Sequence, residues 1–541
     1  LAAVVILTVA GVYLPHHDTA TQQPVNPAQD RFYTTKPAAE HGPGYASPPA
    51  PNDLSLRFAT DLVRYFEDYP LYTPPPHGGD KEVQYFRYFG EQGRRTALLA
   101  DVLDTALSLS SNSTASDDDE ANQQHQSLLR QAVDNGAALL YPFLHHAPKS
   151  SPLRHSTDQP DDTRNTASGL SHLRDSFVPG SAGIVIPVGN RNLRHAAHLI
   201  TSLRRVLGST LPIQIACSGD GDLSPDNRAF LERIHAAAHP PSLEFLNVLT
   251  VFSDRTLHLR KQGSWAIKPF ALLASRFETV ILVNADTVFL QKPEALLAHG
   301  ALQRAGTLLF RDRLLLQQAQ HAAWIKSQIP RPSEALRSSR AWTGSKAAPI
   351  VPHASEQGDA GVVVLDKSRP RVLMALLHTC WQNSYPVRQQ LAQQGLVVVA
   401  SAHTAVGGGD KESWWLGLEL AGAAYEMEEP YGAMVGWPRE ALLPSDAGTK
   451  VCSSSSYQGL AHLDESGKLL WYGGGLAKNM RLAKSGYKVP TAWMAGGQWR
   501  LGYELDDPHC MVGADQHALS AQEKEILHVS IKAAKSLDGL L

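Results

Sequence analysis

An amide and a carboxylate stand two residues apart at the end of a strongly apolar run. The run occupies residues 280–283 (VILV), and Asn284 and Asp286 follow it. Side chains two apart in an extended chain point to the same side, so both groups can converge on one cation. Proteins engage a nucleotide diphosphate through a divalent metal in this way, with one or two carboxylates among the ligands. The alternative is that Asp286 caps the turn after the strand.

The elements that must position these residues alternate along the chain from residue 183. Short β-rich runs are separated by helical patterns, and the runs are GIVIPVG, PIQIACSGD, LEFLNVLTVF, VILVNAD, GTLLFRD and GVVVLD. Unbroken apolar runs such as VILV and VVVL are typical of strands buried on both faces. The alternation predicts a doubly wound α/β domain with a mostly parallel sheet. Ligands of such sheets bind at the carboxyl ends of the strands.

Composition excludes several classes of protein. The chain has 541 residues, 43% hydrophobic and 19% charged, which is ordinary for a globular protein with a core. Lys and Arg total 49 against 52 for Asp and Glu, so the net charge of −3 gives no electrostatic footprint for nucleic acid. The chain has glycine triplets at residues 407–409 and 473–475, and neither has the spacing of a phosphate loop. No G-x-G-x-x-G stands between a strand and a helix. A Rossmann dinucleotide enzyme is therefore disfavoured.

The N-terminal residues predict a membrane anchor and a stem. Residues 1–14 are apolar apart from Thr8 and uncharged, although a full span needs about 20 residues. Because no Met begins the chain, we expect this stretch to be part of a longer hydrophobic segment. Residues 15–51 are rich in Pro, His, Thr and Gln, as an exposed stem would be. We predict a single-pass protein with its bulk in the secretory lumen; a cleaved signal peptide and a core helix are the alternatives.

Residues 52–175 and the four cysteines also bear on the prediction of a secretory lumen. Residues 52–175 carry apolar residues at helical spacing between polar loops, which predicts a helical, membrane-proximal segment. A glycosylation sequon at residues 112–114 fits a lumen. In an oxidising lumen the four cysteines can form two disulfides in three connectivities; buried thiols are the alternative. They are Cys217, Cys380, Cys452 and Cys510.

Residues 261–290 (KQGSWAIKPFALLASRFETVILVNADTVFL) resemble the core of the fungal α-1,3-mannosyltransferases. The pattern of that family is G-W-A-x-K-P-F-A and then a strand ending in Asp-x-Asp. Other blocks match in the family's order, namely GIVIPVG at 183–189, GDAGV at 358–362 with Asp-Lys at 366–367, GDKESWW at 409–415, HLDESGK at 462–468 and WYGGG at 471–475. The resemblance covers roughly residues 180–480. It implies a type II Golgi membrane protein with a GT-A domain over residues 180–520.

The resemblance also implies a metal site. Asp286 is the implied ligand of Mn²⁺, with His462 as a further ligand and Lys468 on the diphosphate oxygens. From residue type alone, His462 is a structural or surface histidine and Lys468 a solvated loop lysine. Asn284 replaces the first acid of Asp-x-Asp, a position that in related enzymes touches the ribose or reaches the metal through water. Because the amide keeps an oxygen but loses a charge, we expect weaker metal affinity.

Contacts with the rest of the donor are implied at three positions. Gly189 and Asn190 end the first strand, where GT-A folds pass the nucleotide base and ribose; a plain turn is the alternative. Lys268 is implied in a donor-side or structural contact, where a cation would offset the charge of the departing diphosphate. A surface lysine at the start of a helix is the alternative.

Three carboxylates are implied to act near the transferred sugar. Asp359 faces the sugar hydroxyls in similar enzymes, and Asp410 is placed on hydroxyls near the reacting carbon with support from Glu412 or Lys411. Asp410 and Glu412 open a helical pattern after a triple glycine, so capping of that helix is the alternative. Residues 311–313 (Arg-Asp-Arg) either contact a substrate or form a solvated loop.

The resemblance implies an activity. It is retaining transfer of mannose from GDP-mannose to a terminal mannose of N- or O-linked glycans, with Mn²⁺ as cofactor. One alternative keeps the fold and uses a UDP-hexose, as a glycogenin-like enzyme does. The other is a non-catalytic Golgi homologue that binds glycan or scaffolds an enzyme complex, for which Asn284 is the support.

Overall fold

The computed structural model describes part of the chain, and every structural statement below concerns that part. It comprises residues 56–71, 85–111, 119–146, 169–236, 243–262, 266–313, 322–329, 331–338, 358–393, 410–428, 431–439, 450–453, 459–477, 486–500 and 508–541. The predicted anchor and stem at residues 1–14 and 15–51 lie outside these ranges, as does the sequon. Within them, no helix combines the length and the apolar character needed to span a bilayer.

Fifteen strands are present in the described ranges. They are β1 Val178–Pro187, β2 Ile213–Cys217, β3 Leu243–Asn247, β4 Phe277–Val283, β5 Val288–Phe289, β6 Thr307–Arg311, β7 Gly358–Asp366, β8 Ala433–Arg439, β9 Lys450–Cys452, β10 Leu460–Leu463, β11 Leu469–Tyr472, β12 Ala492–Met494, β13 Gln498–Arg500, β14 Cys510–Val512 and β15 Gln516–Ala518. Six of them form the central sheet in the order β3-β2-β1-β4-β7-β6. Strands β3, β2, β1 and β4 are parallel, and β7 runs antiparallel to both of its neighbours. This mostly parallel sheet confirms the predicted α/β architecture.

The apolar runs form strands that are buried on both faces, as predicted. In β1, Val185 packs on one side of the sheet while Ile184 and Ile186 pack on the other. In β4, Leu282 and Ile281 divide between the same two cores. Because successive side chains of a strand point to opposite faces, only an unbroken apolar run can serve two cores at once.

Helices cover both faces of this sheet. They are α1 Leu56–Asp68, α2 Phe89–Ser111, α3 Asp119–Leu140, α4 Leu170–Asp175, α5 Leu193–Thr201, α6 Pro225–Ala236, α7 Asp254–Leu257, α8 Leu259–Gln262, α9 Ile267–Ala274, α10 Glu294–Leu297, α11 Gly300–Ala305, α12 Ala322–Gln328, α13 Glu334–Arg337, α14 Pro370–Gln382, α15 Tyr385–Gln393, α16 Lys411–Leu420 and α17 Ala521–Asp538. Short 3₁₀ segments lie at Tyr85–Tyr88, Pro142–His146 and Val248–Thr250, and α5 continues as a π-helical turn over Ser202–Val206.

The predicted N-terminal helical segment is helical where it is described. Helices α1, α2 and α3 pack together and share one hydrophobic core with α9 and α14 of the α/β unit. Leu62, Leu103 and Leu129 are buried in this shared core. The division of the chain at residues 52–175 and 180–520 stays a prediction.

A second, antiparallel sheet lies beside the central one, and its strands run in the order β13-β14-β9-β8-β10-β11-β5. Strand β12 joins it through β8 and β15. A disulfide between Cys452 and Cys510 links β9 to β14. Cys217 and Cys380 are buried free thiols, so the two-disulfide alternative is wrong. The reason is their placement, because Cys217 packs into one core of the central sheet and Cys380 into the core on the other face.

Candidate active site

The predicted metal residues stand in a tight turn after β4. The backbone N–H of Asn284 donates to the carbonyl of Gly361 in β7 (2.8 Å), and Thr287 N–H donates back to the carbonyl of Asn284 (3.0 Å). The N–H of Gly475 donates to the carbonyl of Asp286 (2.7 Å). Gly475 has φ +71°, a left-handed conformation that glycine adopts without strain. The backbone of Asp286 is therefore held between the end of β4 and the glycine-rich segment after β11.

Asp359 and His462 form a pair at the same edge. Asp359 is the second residue of β7, and because this strand is antiparallel its beginning lies beside the carboxyl end of β4. His462 Nε2 and Asp359 Oδ2 are 3.1 Å apart, and Gly361 N–H donates to Oδ1 (3.1 Å). The imidazole is buried and packs against Trp471, with ring centroids 4.2 Å apart. As a metal ligand through Nε2, His462 would have to give up its bond to Asp359.

Lys268 and Asp410 form a buried ion pair behind Asp359. Lys268 Nζ donates to Asp410 Oδ1 (2.9 Å) and to the carbonyl of Ala360 (3.2 Å). Trp414 Nε1 donates to the other oxygen, Asp410 Oδ2, at 2.7 Å. The Lys268 and Asp410 side chains are only 4% and 1% exposed, which means that contact with a substrate would require them to move. In this geometry the pair joins α9, β7 and the start of α16.

Two further acids, Glu412 and Asp312, lie in or beside the start of α16. Glu412 accepts hydrogen bonds from Trp415 Nε1 and from Gly358 N–H, the latter at 3.4 Å. Lys411 donates to Asp312, which is fully buried after β6. Side-chain capping of α16 by Asp410 is not observed, although Asp410 occupies the N-cap position.

The two strand-end carboxylates differ in electrostatic state. Burial raises the pKa of Asp286, and the charge of Asp359 adds to this, while His195 and Lys268 oppose it. Burial alone would also raise the pKa of Asp359, but the hydrogen bond with His462 and the charge of Lys411 outweigh burial and hold it below its ordinary value. Asp359 is therefore the more firmly ionised of the two.

The chemistry of this donor set fits a divalent cation that takes few ligands from the protein. Asp286 and Asp359 interact through space, and a dication between them would favour the charged form that burial disfavours at Asp286. Among the described residues, no group of three His, Cys, Asp or Glu side chains is arranged to hold a metal ion. Substrate oxygens and water would therefore supply most of the coordination shell, as is usual beside a diphosphate.

The structure does not bring every predicted residue to this cluster. Gly189 and Asn190 lie at the carboxyl end of β1, and Asn190 Oδ1 accepts from Ser224 N–H (3.0 Å) and Asn227 Nδ2 (2.8 Å). They stand at the expected edge of the sheet but are bound into the loop after β2. Lys468 is exposed in the turn between β10 and β11, at the end of the hairpin far from the Val288–Tyr472 pairing that follows Asp286.

Sequence reasoning missed His195 on α5. A Cβ on Gly475 would lie 3.4 Å from His195 Nδ1, and the histidine charge acts on Asp286, so this ring stands beside the Asp286 turn. The available signal was its place in the first helical turn after β1. It went unused because His195 lies between the apolar positions Leu193 and Ala196 of the helix, and nothing in its own neighbourhood indicates an acid 91 residues away.

The pKa of Glu412 makes the stability of the folded protein depend on pH. Burial, with the charge of Asp312, raises the pKa of Glu412 from 4.5 to about 8 against the hydrogen bonds of Trp415 and Gly358. Between these values the folded protein binds a proton that the unfolded chain releases, so stability falls as pH rises through this range. We expect the thermal midpoint of Glu412→Gln, which imitates the neutral acid, to rise relative to the wild type between pH 5 and 9. The exposed Glu334→Gln variant is the control. A difference in thermal midpoint between Glu412→Gln and the wild type that does not change with pH would contradict the raised pKa of Glu412.

Comparisons with known proteins match this part of the chain. A family model described as "Mannosyltransferase putative" matches residues 181–464. The chain is similar to alpha-1,3-mannosyltransferase MNN1 of Saccharomyces cerevisiae, 25% identical over 352 residues that cover 57% of this chain and 42% of that protein. It is also similar to alpha-1,3-mannosyltransferase MNT2 of the same organism, 25% identical over 338 residues that cover 58% of this chain and 55% of that protein. The chain thus spans about half the length of the curated relatives it matches.

One solved structure with some likeness is the galactosyltransferase LgtC in complex with donor and acceptor sugar analogs. It is 12% identical, with 44% of this chain and 70% of that chain covered and a TM-score of 0.26. The α/β fold is defined by the strand order of the central sheet.

Proposed function

Because this chain belongs to the mannosyltransferase family whose model matches residues 181–464, we propose that it is a retaining mannosyltransferase. The proposed donor is GDP-mannose, and the proposed acceptor is a terminal mannose of a glycoprotein glycan, joined in α-1,3 linkage. The named relatives support the sugar and the linkage. The nucleotide and Mn²⁺ as cofactor rest on the sequence resemblance.

One observation carries the proposal. Asp286, the Asp359–His462 pair and the Lys268–Asp410 pair come from segments of the chain that are far apart, with Lys268 lying 194 positions before His462. They nevertheless meet at one edge of the central sheet, where β4 ends and β7 begins. Ligands of open α/β sheets bind at that edge. A fold that served only as a scaffold would have no need to gather buried acids there.

The residues take distinct parts in the proposed reaction. Asp286 and Asp359 would hold Mn²⁺, which when bound stabilises the negative charge of the departing diphosphate. His462 orients Asp359 through their hydrogen bond. The Lys268–Asp410 pair fixes the start of β7 against α16, and so sets where Asp359 and Glu412 stand. Glu412, with its raised pKa, retains a proton near neutral pH and can donate a hydrogen bond to a sugar hydroxyl.

The proposed location is the Golgi lumen, with a single-pass anchor at residues 1–14. The disulfide between Cys452 and Cys510 supports an oxidising compartment, because such bonds are rare where glutathione keeps thiols reduced. Membrane attachment and assembly with other Golgi enzymes are parts of the proposal that rest on the sequence alone.

Nucleotide release tests this function. The chain is incubated with GDP-mannose, UDP-glucose or UDP-galactose, with a mannoside acceptor, in Mn²⁺ or in EDTA. We expect GDP release from GDP-mannose alone, dependent on Mn²⁺ and stimulated by the acceptor. Turnover of UDP-sugars only would reject GDP-mannose as the donor but keep the glycosyltransferase class. If folded protein releases no nucleotide from any of the three donors, the proposed function is rejected.

A further inference from the structure

The last residue of α17, Asp538, is the centre of a polar node that joins three parts of the chain. Arg194 of α5 donates to both carboxylate oxygens, through Nε (2.8 Å) and Nη2 (2.6 Å). His198 Nε2 lies 2.9 Å from Oδ1, and the hydroxyl of Tyr487 donates to Oδ2. Arg194 Nη2 also reaches the Tyr487 hydroxyl (3.2 Å). A bidentate guanidinium–carboxylate contact fixes direction as well as distance.

Packing along the two helices reinforces the node. Ser530 Oγ of α17 and Ser202 Oγ after α5 are 2.9 Å apart and buried. Leu537 joins the core that Leu193 and Ile200 share with the central sheet. The other end of α17 begins with a capping box formed by Ser520 and Glu523. The carboxyl-terminal part of α17 is therefore fixed against α5, where Asp538 bonds Arg194 and His198.

The same turn of α5 faces the candidate active site. His195 is adjacent to Arg194, and its Nδ1 lies 3.4 Å from the position of a Cβ on Gly475. The Gly475 N–H in turn donates to the carbonyl of Asp286 (2.7 Å). Neighbouring groups thus extend from Asp538 through α5 and His195 to the turn that carries Asp286.

Tyr487 gives the node a second route to the site. The residues that follow it, Lys488 and Pro490, line a shallow cleft together with Tyr472 and Gly475. Tyr472 pairs with Val288, two residues after Asp286. A displacement of Tyr487 would therefore alter the cleft wall beside the Asp286 turn.

We infer that Asp538 is a positioning residue of the active site, which acts through α5 and His195 on the Asp286 turn. The inference rests on the proposed function for its kinetic consequence but not for its structural one. Loss of the carboxylate removes the two bonds that orient the partly buried Arg194 and leaves it only the longer bond to Tyr487 among those described, so α5 shifts and His195 loosens against Gly475. Small displacements of groups that bind a substrate cost large factors in rate.

The chain offers a matched control in Glu244. Its carboxylate also accepts two bonds from one guanidinium, Arg276 Nε (2.9 Å) and Nη2 (2.5 Å), and a third from Gln214. The side chains of Glu244 and Asp538 are 24% and 25% exposed, so loss of either charge has a similar cost in stability. Glu244 lies near the start of β3, at the sheet edge opposite the candidate site. Glu244→Gln thus removes an equivalent ion pair without touching α5.

The test compares the full chain with Asp538→Asn, Asp538→Glu and Glu244→Gln. Steady-state rates are expected to show the donor KM of Asp538→Asn raised about tenfold, partial return with Asp538→Glu, and no change with Glu244→Gln. A merely structural role would lower the active fraction, and therefore kcat, at unchanged KM. His195→Ala is expected to raise the donor KM similarly, and the double variant with Asp538→Asn to add little more, since both changes act on one route. An unchanged donor KM in Asp538→Asn, or fully additive effects, would overturn the inference.

Hydrogen exchange followed by mass spectrometry tests the positioning role of Asp538 without an activity assay. Asp538→Asn is expected to speed amide exchange in peptides that contain α5 and residues 472–477, including the Gly475 N–H, whereas Glu244→Gln leaves both unchanged. Exchange at residues 472–477 that stays at the wild-type rate in Asp538→Asn overturns the inference, whatever the donor. A wild type that releases no nucleotide refutes the proposed function alone, because the exchange result stands independently of it.

Discussion

Replacement of Asp286 by alanine is expected to lower the rate of mannosyl transfer by at least about a thousandfold. Asp286 is the carboxylate that the turn after β4 holds at the edge of the sheet, and the hydrogen bond from Gly475 fixes its backbone there. Its side chain would bind the cation that stabilises the departing diphosphate. Since the backbone contacts of this turn do not involve the side chain, the variant is expected to fold.

The control for this prediction lies on the same sheet. Asp366 ends β7, whereas Asp359 stands near its start, so Asp366 lies at the edge opposite the site. Its side chain accepts bonds from Ser368 and Arg369 in the following turn. Asp366→Asn is expected to retain transfer within a fewfold of wild type. The measurement is GDP release from GDP-mannose across a Mn²⁺ titration, and an Asp286→Ala variant with near wild-type rates would show that the cation, if required, binds elsewhere.

Replacement of Lys268 by methionine is expected to be the most destabilising single change at the site. It leaves the Asp410 carboxylate, 1% exposed, without its cation, and it removes a donor from the carbonyl of Ala360. Breaking a buried pair by removing one partner typically costs about 3–5 kcal/mol, because the remaining charge is buried and uncompensated. The thermal midpoint followed by circular dichroism measures the loss. Arg337→Met, which breaks the exposed pair with Glu334, is the control and should change the midpoint little.

The double variant Lys268→Met with Asp410→Asn separates structure from chemistry. With neither charge present, much of the lost stability should return, because the cost in the single variant comes from an unpaired ion. If the pair only positions β7 against α16, activity should return with stability. A stable double variant without activity would instead place Lys268 or Asp410 in direct contact with a substrate. A Lys268→Met midpoint no lower than that of Arg337→Met would contradict the buried-pair account.

The roles implied for single residues depended on contacts that the sequence does not contain. Lys268 was expected to face the donor or to serve structure, and its contacts with Asp410 and Ala360 favour the structural role. His462 was expected to bind the metal, and in the structure its Nε2 bonds Asp359. Lys468 was expected at the diphosphate, and the structure places it, exposed, in the five-residue turn between β10 and β11. The Lys268–Asp410 and His462–Asp359 contacts join residues 142 and 103 positions apart, so no local pattern could indicate them.

The sequence by itself determined the features that local patterns control. Unbroken apolar runs determined which segments are strands buried on both faces, and the order of the runs and helices determined a mostly parallel sheet with polar residues at its strand ends. These follow from residue type and spacing, since side chains alternate along a strand whatever lies beyond it. Only the tertiary structure decided which acids are paired, which carboxyl retains a proton and which helix stands behind the Asp286 turn. Those outcomes depend on burial and on charges brought together from distant segments, as His195, Lys268 and Asp359 are brought to Asp286.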